Sequence, residues 1–343
     1  MKSGIKRVGL GLKHRLQRAR EILIGSVQKL SGRGLILAYH RVGRLTRDPQ
    51  RLRVQPVHFI QHMEILKRDW NVVPLEELVA YIRRRRILPR VIAITFDDGY
   101  ADNLYEAAPI LEALDLAATV FVATRMIAEK REAFWDELDN ILCSERALPL
   151  RLDIKVGPVV VDMLTLSPAD RERAYFSLCA MLSDLSPPVL ARVMGTIRDW
   201  AGIQKSQLRT PFLSIEELKK LAGKRSIQIG GHSQSHVLLV KQSEEMQRAE
   251  IGGCRRDLIE WLGYPPSAFS YPWALTTLPQ AKTTKLLVQE AGFVCGVDTV
   301  RGSVGWIGTD LYCMPRAIVR DSPGEYFQRW LEGTFAYPWL DQC

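Results

Sequence analysis

Val91 to Tyr100 reads VIAITFDDGY. A run of apolar and β-branched residues fit for a buried strand breaks off at Asp97, Asp98 and Gly99, and a helical pattern follows at once. Two adjacent carboxylates at the C-terminal edge of a core strand stand where barrel-type and open α/β folds place their chemistry. An Asp-Gly turn with a helix N-cap uses the same letters. What decides between the two readings is whether the rest of the chain brings partners to these carboxylates.

The surrounding rhythm is strand then helix. LILAY after Gly34 is a second apolar strand, and it delivers a titratable residue, His40, at its end. Residues 57–69 predict a helix with Phe59, Met63 and Leu66 on one face. NVVP predicts a short strand and LEELVAYIRR a helix whose solvated end carries Arg83 to Arg86, cations that complement the helix dipole. A helix over 101–114 and the strand ATVFVAT complete a βαβ unit, with parallel strands and a right-handed crossover. From 125 to about 210 the alternation stops. FWDELDNIL reads as a helix, RLDIKVGPVVVDML as a hairpin about Gly157-Pro158, and two further helices follow near 168–182 and 188–200. The α/β rhythm resumes with a helix capped by Ser214 and Glu217, then SIQIG, a long helix over 243–262, a short strand at 268–271, a helix near 280–291, FVCGV, RAIV and a helix over 324–331. Seven or eight core strands, each usually followed by a helix, predict an α/β fold: a deformed (β/α) barrel of about seven strands with a mainly helical insertion.

Charge narrows the partners. The 343 residues carry a formal charge of +9, but residues 1–33 hold nine Lys or Arg against Glu21 alone. The remainder is close to neutral, so no nucleic-acid partner is expected. Residues 5–30 place Val8, Leu12, Leu16, Ala19, Leu23, Val27 and Leu30 on one stripe flanked by basic residues. Such a helix suits peripheral contact with an anionic membrane surface, or packing on the protein itself. No apolar run approaches the ~20 residues of a membrane span, and no signal-peptide core interrupts the basic leader, so a cytoplasmic location is expected. The six cysteines show no CxxC pairing and read as reduced thiols, not metal ligands.

His232 and His236 follow a strand and a Gly-Gly pair, and spacing of four would set both imidazoles on one side of a helical turn. With Asp98 they make a two-histidine, one-carboxylate set for a single divalent ion, with open positions of the kind a catalytic metal needs. Asp97 is then free to take a proton from water, and cleavage of an amide also needs an acid for the departing nitrogen. His40 is the remaining candidate for that acid; His14, His58 and His62 read as ordinary surface residues.

TFDDGY, HSQSH and FSYPWA, in that order and spacing, resemble the first three motifs of the NodB-type polysaccharide deacetylases. LAYHRV ahead of them resembles the permuted branch of poly-N-acetylglucosamine deacetylases. The resemblance implies metal-dependent N-deacetylation of a carbohydrate, with zinc the expected ion. By position it implies Asp97 as base, Asp98, His232 and His236 as metal ligands, and His40 as the permuted acid. It also implies Tyr271 as the residue whose backbone N–H stabilises an oxyanion, with Pro272 and Trp273 shaping the groove. Two positions depart from the family pattern. The arginine that pairs with the base is replaced by Ser270, so the charge state of Asp97 is expected to rest on metal and hydrogen bonds. The glycine after the motif is Ala274.

The expected organisation is a basic helix over 1–33, barrel segments over 34–124 and 213–343, and an insertion over 125–212. The expected function is removal of N-acetyl groups from a polysaccharide, oligosaccharide or lipid-linked sugar in surface polysaccharide biosynthesis. Hydrolysis of another linear or cyclic amide, or an inactive carbohydrate-binding relative, are the alternatives.

Overall fold

The computed structural model describes residues 32–44, 47–203, 212–274 and 280–336. The amphipathic segment 5–30, with His14, lies outside the described residues. The strands are β1 (Arg33–Tyr39), β2 (Arg41–Val42), β3 (Arg53–Val54), β4 (Asn71–Val72), β5 (Val91–Phe96), β6 (Ala118–Val122), β7 (Arg151–Val156), β8 (Val159–Leu164), β9 (Ile227–Gly231), β10 (Ala268–Ser270), β11 (Cys295–Asp298), β12 (Val304–Gly305), β13 (Met314–Pro315) and β14 (Ala317–Ile318).

β1, β5, β6, β9, β10 and β11 pair in that order, all parallel. The segment 314–318 closes the circuit. Its first half, β13, pairs with β11, and its second half, β14, pairs with β1 on the far side, both parallel. The result is the expected barrel of seven staves, with the last one shared between its two neighbours. β12 adds an antiparallel pair to β1, and β4 a parallel pair to β5.

Period-2 alternation along the staves sorts side chains between the barrel interior and the surrounding helices. Leu35, Leu37 and Tyr39 on β1 and Ile92, Ile94 and Phe96 on β5 pack outward, against Phe59, Met63 and Leu66 of the helix Pro56–Asp69. Ile36, Ala93, Phe121, Val297 and Met314 fill the interior. Continuing that inward register one pleat at a time leads from Ala93 to Thr95 and Asp97, from Ile36 to His40, and from Met314 to Arg316. The strand–helix alternation thereby aims four polar side chains, Thr95, Asp97, His40 and Arg316, at the same rim.

Most helices lie where apolar spacing and caps place them. Ser214 and Glu217 form the capping box of Ile215–Ala222, and Ser167 with Asp170 forms another on Pro168–Leu182, each such cap contributing about 1 kcal/mol. The helix expected over 101–114 instead begins as a π turn, Asn103–Ala107, before Ala108–Ala113; Pro109 has no N–H to extend a regular ladder backwards. His62, expected at the surface, is fully buried. Its Nε2 lies 2.8 Å from the Ser322 carbonyl, and its ring stacks on Phe327 at 3.9 Å. His58 is part-buried and meets Asp321 at 2.8 Å.

Between β6 and β9 lie the helix Phe134–Leu142, the hairpin β7–β8, and the helices Pro168–Leu182 and Pro187–Trp200. They share a core of their own, built on Leu138, Leu152, Val161, Leu178 and Ile197, which also takes in Tyr100 and Phe212. The five cysteines among the described residues are free, and no described helix is long and apolar enough to cross a membrane.

Candidate metal centre and its base

Asp97 and Asp98 follow β5, His232 follows β9, and His40 follows β1, so all four leave the C-terminal edge of parallel staves. At Asp98 the chain turns through a left-handed conformation (φ 76°), and Gly99 continues it at φ 82°. A Cβ on Gly99 would lie 2.9 Å from Val122 Cγ1, so glycine is needed there for space as well as for backbone. His232 and His236 do not share a helical turn. They sit in an irregular loop whose Ser233 and His236 are left-handed (φ 58° and 55°), closed by Ser233 Oγ accepting from the His236 N–H at 3.0 Å. The spacing of four works through this loop. Five left-handed residues gather around one centre once Trp273 (φ 65°) is counted, a concentration of strain typical of functional sites.

Asp98 Oδ1 lies 3.1 Å from His236 Nε2 and 3.4 Å from His232 Nε2. All three residues are buried, and one ligand atom from each falls within 4.8 Å of the others. Asp98 Oδ1 and His236 Nδ1 have no hydrogen-bond partner among the described residues, an expensive arrangement for buried polar atoms unless something else binds there. His232 Nδ1 contacts the Ser270 carbonyl at 2.7 Å. That nitrogen must donate, which leaves the Nε2 lone pair facing Asp98. Burial pushes the Asp98 carboxyl up, but the close approach of His232 and His236 outweighs it and holds the group well below the usual range. Two imidazole nitrogens and an ionised carboxylate fit a divalent cation.

Asp97 is the better-held carboxylate. Arg316 Nη1 donates to its Oδ1 at 2.7 Å and Nη2 to its Oδ2 at 2.6 Å, while Ser270 Oγ donates to Oδ2 at 3.3 Å. Arg316 is completely buried and also reaches Thr95 Oγ1 (3.1 Å) and Ser270 Oγ (2.8 Å). The expectation that Asp97 lacks a cation is therefore overturned. The guanidinium arrives from the stave that closes the barrel, and the small side chain of Ser270 leaves room for it. Desolvation raises the Asp97 pKa, but the charge of Arg316, followed by His232, brings it below its ordinary value. A sequence signal for Arg316 existed: it is the lone cation on the inward register of RAIV, between Met314 and Ile318.

Tyr271 does not present a donor to this centre. Its N–H is engaged with the Val297 carbonyl at 3.1 Å, extending the β10–β11 ladder, and its phenol donates to the Tyr312 carbonyl at 2.8 Å. The ring packs among Phe269 and Phe293. Pro272 is buried, and the next residue, Trp273, reaches the site. Its Nε1 donates to the His236 carbonyl at 3.2 Å, its own carbonyl accepts from Thr299, and its N–H has no acceptor among the described residues. His40 is partly exposed. Burial lowers its pKa more than the charges of Asp98 and Asp97 raise it, and Arg316 and Arg320 add to the lowering.

Residues outside the three motifs complete the rim. Trp135 packs its ring 4.5 Å from that of His236 and 5.4 Å from that of Trp273, and donates Nε1 to Tyr100 Oη at 3.0 Å. Tyr100 in turn donates to Asp136 Oδ2 at 3.0 Å. Burial, together with the charge of Asp98, pushes the Asp136 carboxyl up to about 7 against the pull of Arg41. The segment between β6 and β9 thus forms one wall of the centre.

Known proteins share sequence and fold with this chain. Residues 85–145 and 196–295 match the polysaccharide deacetylase family, and the unmatched stretch between them falls in the β6–β9 segment. The chain is 31% identical over 108 residues to YxkH of Bacillus subtilis (strain 168), whose own assignment as a polysaccharide deacetylase is provisional. The match covers 31% of this chain and spans 37% of the length of that relative. Two solved structures share the fold. The Streptococcus pyogenes deacetylase PplD, in complex with acetate, is 17% identical, with a TM-score of 0.57 over 87% of this chain and 98% of that one. IcaB from Ammonifex degensii is 16% identical, with a TM-score of 0.55 over 88% and 96%.

Proposed function

Starting from a chain of the NodB-type polysaccharide deacetylase family, we propose that it is a metal-dependent hydrolase that removes N-acetyl groups from a carbohydrate. The observation that carries this reading is the division of labour between neighbours: Asp97 is held ionised by Arg316, while Asp98 turns away toward His232 and His236. Asp98, His232 and His236 would hold the ion, zinc by the chemistry of the donor set. When bound, a divalent ion supplies Lewis acidity for the amide carbonyl and lowers the pKa of water.

Asp97 accepts the proton of the attacking water; its low pKa keeps it ionised at neutral pH. His40, across the β1–β5 pair, returns a proton to the departing nitrogen, and its lowered pKa makes the imidazolium a better donor. The C–N bond breaks and acetate leaves the amino sugar. For the developing oxyanion we assign the Trp273 N–H, because the Tyr271 N–H is engaged in the ladder.

We further assign residues 125–212 to a substrate-side wall inserted between barrel segments 34–124 and 213–343. The setting we propose is surface polysaccharide biosynthesis on the cytoplasmic side, with residues 5–30 as the membrane contact. Acetate release from nucleotide-linked, lipid-linked and polymeric N-acetyl sugars, before and after chelation and on return of a divalent ion, tests the reading. Release that survives chelation unchanged contradicts the metal assignment.

A further inference from the structure

The barrel has a second mouth, opposite the catalytic rim, where its parallel staves begin. The helix Leu75–Arg83 lies across it. Leu75, Leu78, Val79 and Ile82 share a core with Phe121, Ala268 and Val297 of the barrel interior. Glu76 accepts from Gln228 Nε2 on β9 (3.1 Å) and from Ser267 Oγ just before β10, and Arg83 Nη2 donates to the Val294 carbonyl just before β11 (3.2 Å). The helix therefore plugs this mouth.

The loop that leaves the plug is basic. Arg83 to Arg86 are exposed, as is Leu88, while Ile87 turns inward. The helix ends at Arg83, and the chain turns at Arg85 through a left-handed conformation (φ 55°). Arg85 and Arg86 thus lie past the last turn, where the helix dipole has faded. Nearby cations are matched: Arg68 pairs with Asp69, Arg90 covers the Trp70 ring, and Lys224 pairs with Glu112. Arg84, Arg85 and Arg86 pair with no carboxylate among the described residues. The acids of the same helix, Glu76 and Glu77, sit at its far end, where Glu77 accepts from Tyr81 Oη.

The leading residues join the fold at this place. Gly32 packs so closely on the Ile87 carbonyl that a Cβ would collide with it, and Gly34 stands opposite Val91 in the β1–β5 pair. The strongly basic sequence of residues 1–31 is therefore attached beside the three unpaired arginines.

We propose that this mouth of the barrel docks on an anionic lipid surface, with Arg84, Arg85 and Arg86 meeting the headgroups and the catalytic rim turned toward water. The inference extends to the folded body the membrane contact proposed for residues 5–30. Charge complementarity selects the occupant: cations without acceptors, beside an exposed leucine, suit headgroup phosphates at an interface. β5 runs six residues from this mouth to Asp97, which sets the site about 20 Å from the lipid. That position serves a soluble or extended glycan.

Co-sedimentation of the full-length protein with phosphatidylcholine vesicles, with and without phosphatidylglycerol, measures the contact. Wild type is expected on the anionic vesicles alone, and less of it as salt is raised. Arg84→Gln/Arg85→Gln/Arg86→Gln is expected to lower the partition coefficient about 10- to 100-fold, Arg84→Gln and Arg86→Gln each to take a share, and the triple lysine variant to retain it. Lys13→Gln/Arg15→Gln/Arg18→Gln/Arg20→Gln reads the leader separately. Loss in that variant with none in the arginine variants keeps the leader contact and overturns the inference. Equal binding to neutral vesicles, no binding to anionic ones, or tighter arginine-dependent binding of a short RNA also overturns it. On vesicles, wild type should release acetate from a soluble N-acetylated oligomer at its solution rate; a rate that falls as binding rises would put the catalytic rim against lipid. A wild type that releases none even in solution bears on the deacetylase reading alone.

Discussion

Arg316 and Asp97 are joined by a fully buried, two-pronged ion pair spanning 219 positions of sequence. The pair links the stave that closes the barrel to the proposed base, so closure of the fold and the charge state of the site depend on one contact.

Replacing Arg316 with Met is expected to cost about 3–5 kcal/mol, because it leaves a buried carboxylate unpaired. The folded pKa of Asp97 lies below its unfolded value. The pair therefore contributes stability above the unfolded pKa, and that contribution is lost as pH falls through the folded one. In Arg316→Met the acid unfolding limb should become shallower, because the contribution lost on acidification is already gone, while the acid limb of kcat/KM should move to higher pH. Urea titrations between pH 3 and 8 read the first and a pH–rate profile the second. Unchanged limbs would show that Arg316 does not set the charge of Asp97.

Divalent ions should stabilise the wild-type protein by mass action, by about 2.7 kcal/mol at one hundred times Kd. Asp98→Asn and His236→Ala should lose that gain. Thermal unfolding with and without zinc measures it, and a variant that keeps the full shift would place the ion elsewhere.

Trp135 supports the centre from the inserted segment, by packing on His236 and by donating to Tyr100. Trp135→Ala should cost about 3–5 kcal/mol through the cavity it leaves. It should also weaken metal affinity roughly 10- to 100-fold, as loss of an outer-shell partner does. Trp135→Phe keeps the ring against His236 and should recover most of the affinity. Equal zinc titrations for all three proteins would reduce Trp135 to a packing residue.

His62 is buried next to Ser322 and Phe327, and desolvation lowers its pKa to about 4. The unfolded chain takes up a proton near pH 6.5 that the folded chain refuses until about pH 4. Stability tied to this residue is therefore whole above pH 6.5 and falls through that window, by up to about 3 kcal/mol. His62→Gln should be less stable at pH 8 yet show a shallower loss between pH 6.5 and 4. A parallel loss in both proteins would contradict this.

Much of the barrel was legible because its staves are short apolar runs ending in turn residues, and Asp97, Asp98, His232 and His40 each close such a run. What sequence spacing could not supply was pairing across the barrel. Arg316 meets Asp97 only because 314–318 bridges β11 and β1, so the motif around Ser270 carries no sign of the cation. The engagement of the Tyr271 N–H was illegible for a related reason: whether an N–H stays in the ladder depends on how far β11 follows it. His62 could have been read correctly, since it falls with Phe59, Met63 and Leu66 on one helical face, but its polarity argued for the surface.

The account rests on Asp97 as the base, and acetate release by Asp97→Asn tests it most directly. With an N-acetylglucosamine oligomer and saturating divalent ion, wild type should release acetate and Asp97→Asn should be slower by at least about 10²-fold. The variant's metal-induced thermal shift should be unchanged. Release by Asp97→Asn at the wild-type rate, or no release by wild type from any N-acetylated glycan, would contradict it.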